Sequence, residues 1–318
     1  MLDLNDKKIN GSAIKLNSAD NVAVALSEIK AGTNLIGTNI TTREIVPPGY
    51  KVAVCDISKG DPIKKYDVTV GFAKSNIAAG TMLHNHNIEF KEFDRDYAYA
   101  EHFRPVEKLP EESRATFQGY KRADGRAGTR NFISIVSTVN CSATVVHAIA
   151  DYFNDDRLSK YPNVDGVAAF SHNTGCGMEL TGEPMNLLHR TLAGYIKHPN
   201  VAASLVVGLG CERCQVGGLF ETQKLQADET LRTLVMQESG GTRQTISRGI
   251  SIIEELLEIA NRSQRETVPA SQIMVGLQCG GSDGFSSITA NPSLGNAIDI
   301  LSKHGGTGIL SETQRFMV

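Results

Sequence analysis

Ile273-Met274-Val275 runs into Gly276-Leu277-Gln278-Cys279-Gly280-Gly281-Ser282-Asp283-Gly284, and Asn291-Pro292 follows a few residues later. An apolar run of strand length ends in a turn that offers backbone N–H groups, a thiol, a hydroxyl and a carboxylate, and a helix start comes next. The same arrangement occurs three times upstream. Ile133-Ser134-Ile135-Val136 leads to Asn140-Cys141-Ser142, Val167-Ala168-Ala169-Phe170 to His172-Asn173-Thr174-Gly175-Cys176-Gly177, and Leu205-Val206-Val207 to Gly208-Leu209-Gly210-Cys211-Glu212. Strands alternating with helices predict a mainly parallel α/β sheet, in which ligands bind outside the carboxyl ends of the strands. Four cysteines at four such ends are therefore candidates for one shared site.

The helical periodicity agrees with this reading. Helices are predicted over residues 143–153, 184–196, 244–260 and 292–304. The third carries Ile246, Ile250, Ile253, Leu256, Leu257 and Ala260 on one face and Glu254, Glu255 and Glu258 on the other. The fourth starts at Asn291-Pro292 and stops at His304-Gly305-Gly306. Thr307-Gly308-Ile309-Leu310-Ser311 then reads as one more strand. The chain stops shortly after it with no helix to cover it. The expectation is an α/β domain incomplete at the C-terminus, nearly inactive alone and prone to associate.

The first ~90 residues read differently. Ile29-Lys30-Ala31-Gly32, Ile45-Val46-Pro47-Pro48-Gly49, Ile57-Ser58-Lys59-Gly60 and Ile77-Ala78-Ala79-Gly80 form a degenerate repeat, an apolar residue followed by a turn glycine. Short β-prone runs lie between them, so this part is predicted to be a small β-rich domain, a barrel or clip. The organisation expected is a β-rich domain over 1–90, a charged, proline-punctuated linker over 91–116 and the α/β domain over 117–318.

Bulk properties narrow the function classes. The chain has 318 residues, 41% of them hydrophobic and 21% charged, and a formal net charge of -3. That balance gives no electrostatic reason to expect nucleic acid or an anionic membrane. No apolar run approaches the roughly 20 residues that span a bilayer, and the first residues lack a signal-peptide core. A cytoplasmic enzyme acting on a small molecule is expected, with a homo-oligomer compatible. Among the six cysteines, Cys55 lies in an apolar run and is expected in a core. Cys211-Glu212-Arg213-Cys214 is an isolated C-x-x-C and is weak evidence for a redox pair or zinc. Gly208-Leu209-Gly210-Cys211-Glu212-Arg213 lacks the third glycine of a dinucleotide fingerprint.

Each reactive-looking group has two readings. Cys141, Cys176, Cys211 and Cys279 are either ligands of iron or another thiophilic metal, or small residues buried near strand ends. His84 and His86 in Leu83-His84-Asn85-His86-Asn87 would share one face of a strand, as metal ligands or an acid/base pair, or form a polar exit from the β domain. His172 beside Cys176 is a base or ligand candidate. Thiol-nucleophile catalysis by Cys176 with His172 is an alternative. Arg126 and Arg130, in the basic glycine-rich turn before the first α/β strand, would clamp a carboxylate or simply be solvated. Asn140, Thr174, Ser282 and Asp283 on the cysteine turns are further substrate-binding candidates.

These stretches carry a resemblance. Leu16-Asn17-Ser18-Ala19-Asp20-Asn21-Val22-Ala23-Val24-Ala25-Leu26 and Leu83-His84-Asn85-His86-Asn87 resemble the N-terminal SAF-type (β-clip) domain of the altronate and galactarate dehydratases. Gly125-Arg126-Ala127-Gly128-Thr129-Arg130-Asn131, Val139-Asn140-Cys141-Ser142, Gly208-Leu209-Gly210-Cys211-Glu212, Gln278-Cys279-Gly280-Gly281-Ser282-Asp283 and Ile288-Thr289-Ala290-Asn291-Pro292 resemble the main domain of the same enzymes. The likeness covers about residues 12 to 313. The His84–Asn87 stretch is nearer the altronate branch, and Arg265-Glu266-Thr267-Val268-Pro269-Ala270-Ser271 nearer the galactarate branch. The resemblance implies a hydro-lyase, dependent on Fe2+ or activated by Mn2+, that turns a sugar acid into a 2-keto-3-deoxy sugar acid and water. It also implies that family members run well past residue 318. The alternative from another class is a non-catalytic sugar-acid-binding fragment.

Overall fold

A computed structural model describes residues 12–35, 38–93, 103–278, 280 and 284–311. The chain divides into two compact units, one made of Met1–Leu109 with Met274–Val318 and the other of Pro110–Ile273.

The first unit opens with nine short strands: β1 Ala13–Ile14, β2 Val22–Ala25, β3 Asn34–Leu35, β4 Ile40–Thr41, β5 Lys51–Ala53, β6 Pro62–Lys65, β7 Val68–Ala73, β8 Met82–Leu83 and β9 Ile88–Glu89. All pairings are antiparallel, in the orders β1-β2-β5-β8, β3-β4 and β6-β7-β9. The repeat seen in the sequence pairs with itself. Ile29 and Val46 exchange both backbone hydrogen bonds at 2.9 Å, and Ile57 and Ile77 do so at 2.8 Å. All four side chains are buried, so each repeat contributes one core residue and one turn glycine. In the second repeat Val46 is the core residue and its neighbour Ile45 faces solvent.

The second unit contains β10 Thr116–Lys121, β11 Ala127–Gly128, β12 Phe132–Ser137, α1 Ala143–Tyr152, α2 Asp155–Leu158, β13 Gly166–Phe170, α3 Glu183–Ile196, β14 Val201–Gly208, α4 Val216–Gln223, β15 Leu231–Val235, α5 Thr242–Ala260 and β16 Glu266–Pro269. Its main sheet is parallel, in the order β13-β12-β14-β15. The two inner strands are apolar runs buried on both faces, as a parallel sheet covered by helices requires. One core packs α1 and α5 on the sheet through Val145, Val146, Ile149, Ile253, Leu256 and Leu257, and the opposite core packs α3 and α4 through Met185, Leu192, Ile196 and Leu219. Each of these side chains contributes roughly 1.5–3 kcal/mol by leaving water. Polar residues on the inner strands satisfy each other, as in the Ser134–Ser204 hydroxyl pair at 2.7 Å across β12 and β14. A separate antiparallel ladder joins β10 to β11 and β16.

The chain then returns to the first unit as β17 Met274–Leu277, α6 Ala290–Lys303 and β18 Thr307–Leu310. β17 and β18 pair in parallel with each other, not with the four-stranded sheet. The strand read at Thr307–Ser311 is present as Thr307–Leu310, in a two-stranded ladder with β17. The helix stop came out as read, with Gly305 in the left-handed region at φ 88°. Residues 284–288 pack on the N-terminal strands: Tyr66 and Ile288 lie against the core formed by Ile14, Leu16 and Val24.

Candidate functional site

The strand order of the second unit sets the position of its cleft. β12 is followed in sequence by its neighbour on one side, β13, and later by its neighbour on the other side, β14. The carboxyl ends of β12 and β14 thus flank the point where the winding reverses, and there the connections diverge and leave a crevice. The turns after β12, β13 and β14 meet at this edge and are bonded to one another. Asn140 N–H donates to the Thr174 carbonyl at 3.0 Å, and the N–H groups of Arg213 and Cys214 donate to the Gly175 carbonyl at 2.9 and 3.0 Å. Gly175 has φ 97°, and a Cβ on it would lie 2.3 Å from the Thr138 carbonyl oxygen, so only glycine lets the two turns approach.

Glu212 is the anchor of this edge. It is buried, and its carboxylate accepts from Thr138 Oγ1 at 2.9 Å, Leu209 N–H at 3.1 Å and Gly210 N–H at 2.6 Å. A Cβ on Gly208 would sit 2.6 Å from Glu212 Oε1. In the sequence Glu212 stands out only as part of the Gly208-Leu209-Gly210-Cys211-Glu212 motif. The available signal was an acidic residue directly after a strand-end glycine turn, where a carboxylate can collect backbone N–H groups.

The thiols divide. Cys141, Cys176 and Cys211 are exposed on the three joined turns, and Gln237 Nε2 donates to Cys211 Sγ at 3.3 Å. Cys214 is buried in the α3/α4 core, and burial, with Glu212 adding, pushes its thiol up to about 12. The C-x-x-C is therefore one exposed cysteine and one core cysteine. Cys55, expected in a core, is exposed in a bend just after β5. Cys279, Ser282 and Asp283 lie outside the described residues. Among the described residues no three His, Cys, Asp or Glu side chains stand close enough together to hold a metal ion. The described donors alone do not make a site for iron or manganese.

His172 is half-buried at the same edge. Its Nδ1 accepts from the Thr174 N–H at 3.3 Å and its Nε2 lies 3.1 Å from the Ser137 carbonyl, an arrangement that puts the proton on Nε2. Burial lowers its pKa, partly countered by the Ser137 carbonyl. Both nitrogens contact backbone in this arrangement, so the ring also helps to position the turn. Asn140 and Thr174 are exposed on the joined turns, as a substrate-binding role requires.

Other candidates lie elsewhere. Arg126 bonds Asp124, with Nε 2.8 Å from Oδ2, and reaches the Lys197 carbonyl at 2.5 Å, while Arg130 pairs with Asp165 at 3.0 Å. Lys197, Asp165 and Arg130 all precede strands, so this cluster is at the amino end of the sheet. The six residues of β12 separate it from the thiol turns by about 20 Å. Arg126 and Arg130 thus brace the amino edge of the sheet and are not brought together with the thiol turns. A depression of about 320 Å³, lined by Lys197, Lys224, Asp228 and Thr230, is also at that edge. His84 and His86 belong to the first unit. They do not share a strand face: residues 84–87 form a turn closed by Asn87, whose Oδ1 accepts from His84 N–H at 3.0 Å and whose Nδ2 donates to the Met82 carbonyl at 2.9 Å. Both imidazoles are exposed, and His84 packs against Tyr50 with ring centroids 5.1 Å apart.

Comparison with known proteins assigns the parts. Residues 11–91 match the altronate/galactarate dehydratase SAF domain, 119–261 the D-galactarate dehydratase/altronate hydrolase second domain, and 270–317 the D-galactarate/altronate dehydratase C-terminal domain. The chain belongs to the altronate/galactarate dehydratase family. The altronate dehydratase of Escherichia coli (strain K12) is 37% identical over 304 residues, covering 94% of this chain and 59% of that protein. The altronate dehydratase of Bacillus subtilis (strain 168) is 34% identical over 304 residues, covering 95% and 60%. The galactarate dehydratase (L-threo-forming) of Escherichia coli (strain K12) is 34% identical over 307 residues, covering 94% and 58%. The chain therefore spans about three-fifths of the length of these dehydratases. Among its described residues no helix is long and apolar enough to cross a membrane.

Proposed function

We propose that this chain serves a sugar-acid hydro-lyase acting on altronate, with galactarate the second choice, in the cytoplasm. The observation that carries the reading is the set of three joined turns at the switch point of the second unit, in a chain whose relatives are named for this dehydration. In the reaction the proton beside the carboxylate is removed, the hydroxyl on the next carbon leaves as water, and the resulting enol becomes the 2-keto-3-deoxy acid. The turns supply donors suited to a polyol acid: the Asn140 and Thr174 side chains and backbone N–H groups at the start of α1.

Proton transfer is assigned to His84 and His86, whose exposed imidazoles can accept or give a proton. A positioned acid or base is worth about 100- to 10,000-fold. Iron, with manganese the alternative, is the proposed cofactor, and the metal content of anaerobically purified protein tests it. The test of function is 2-keto acid formed from altronate and from galactarate by the gene product at its natural length, under reducing conditions with ferrous ion. Turnover of either, lowered at least 100-fold in His84→Ala or His86→Ala, is expected. No product from either acid would leave a binding role, and unchanged turnover in both variants would remove these histidines from the chemistry.

A further inference from the structure

Two lysines of the first unit come together on a half-buried face with no carboxylate among the described residues paired to them. Lys51 stands opposite Val24 in the antiparallel β2/β5 register, so the two side chains share a face of the sheet. On that face Val24 is buried with Ile14 and Leu16, and Tyr66 and Ile288 pack against the same group. Lys65 precedes Tyr66, and its Nζ donates to Ser287 Oγ at 2.8 Å. The Tyr66 hydroxyl donates to the Ser287 carbonyl and fixes that backbone. Lys51, Lys65 and the Ser287 hydroxyl thus surround one apolar floor.

The nearby acidic group is already committed. Asp20 is buried, and its two carboxylate oxygens accept the backbone N–H groups of Asn17 at 3.0 Å and Asp67 at 2.8 Å. It acts on Lys65 through space only. Burial lowers the pKa of Lys51. Lys65 is lowered by burial first and by Lys51 second, with Asp20 opposing. For both amines burial outweighs any neighbouring charge. Two partly buried ammonium groups over one apolar floor are unfavourable without an anion, and a carboxylate would accept from both amines and from Ser287.

We infer that Lys51, Lys65 and Ser287, all of the first unit, form a binding site for the carboxylate of a small organic acid. The choice of galactarate as probe rests on the proposed sugar-acid substrate; the site itself does not. The test is calorimetric titration of the natural-length protein with galactarate and, separately, with sulfate. Galactarate is expected to bind, and Lys51→Met and Lys65→Met are each expected to weaken it at least tenfold. The control Lys64→Met, which removes an exposed amine that pairs with Asp67, should leave binding as it was. Without ligand the Lys51→Met protein should melt no lower than the parent, since one of two repelling amines is gone, and galactarate should raise the parent's melting temperature but not the variant's. Should Lys65→Met not fold, Ser287→Ala carries the same expectation of weaker binding.

Galactarate binding that ignores all three substitutions overturns the site, as does sulfate binding as tightly as galactarate. Keto-acid production without lysine-dependent binding leaves the dehydratase reading and removes this site. Lysine-dependent binding without keto acid does the reverse.

Discussion

Glu212 gives its carboxylate to one hydroxyl and two backbone N–H groups in a buried corner. Glu212→Gln keeps the shape but turns an NH2 group toward one of those donors, so it should lower unfolding free energy by about 2 kcal/mol, read from the urea midpoint at constant slope. Loss of less than about 0.5 kcal/mol would show that the corner is not braced by the charge. The cysteines offer a second residue-level test. Native protein treated with iodoacetamide at pH 8 should be alkylated at Cys55, Cys141, Cys176 and Cys211, and spared at Cys214, whose thiol is pushed up to about 12; peptide mass mapping reads the result. Proton linkage gives a third. Burial lowers the pKa of His172, His189 and His198, the last with help from Arg126. Below about 6.5 the unfolded chain binds more protons at these rings than the folded chain. Their contribution is present above that pH and is lost as pH falls through the lower folded values. The urea midpoint should drop between pH 7.5 and 5.5, above the range where ordinary carboxylates titrate, and drop less in His172→Asn. A flat profile would mean that the rings charge freely in the folded state.

At the scale of elements, the contact of α1 with α5 sets two known effects against each other. Gly249 faces Ile149, and a Cβ there would lie 2.3 Å from Ile149 Cδ1. Alanine gains about 1 kcal/mol of helix propensity over glycine, while overpacking a filled core costs about 1–3 kcal/mol. Ile149 is fully buried and cannot swing aside into solvent, so Gly249→Ala should lose about 1 kcal/mol net, and a gain in thermal stability would refute the packing. These contacts explain what could be read from sequence. Residues 143–153, 184–196, 244–260 and 292–304 were legible as helices because their apolar faces repeat, and α1, α3, α5 and α6 fall there. α4 was not legible: Gly217 and Gly218 in its first turn weaken the helical signal, and one buried Leu219 makes no periodicity. The turn at 84–87 looked like a strand because alternation was the available rule. Nothing local announced that the Asn87 amide would take up the backbone on both sides of it.

For the whole molecule, sequence showed four strands ending in cysteine turns but not which sheet each joins. Three of the four lie side by side in one sheet, which is why their turns can bond to each other. The fourth, β17, pairs with β18 in the other unit. Sheet membership depends on contacts between residues far apart in sequence, and a single strand pattern carries no record of them. The division has a consequence for independent folding. Residues 110–273 are continuous in sequence and hold both cores that sandwich the parallel sheet. The N-terminal strands, by contrast, share their floor with residues far along the chain: Ile288 completes the Val24 core, Ser287 takes the Tyr66 and Lys65 bonds, and Gly284 lies so close to Gly49 that a Cβ on it would be 2.5 Å from the Gly49 carbonyl oxygen. Residues 110–273 expressed alone should therefore unfold in one cooperative urea transition, as most domains of about that size do. Residues 12–109 alone should be markedly less stable, with Leu16 and Val24 left partly uncovered, and adding 274–311 in the same chain should restore the loss. If the N-terminal piece alone melts as sharply and as high as in the full chain, residues 284–288 rest on a surface that was already complete.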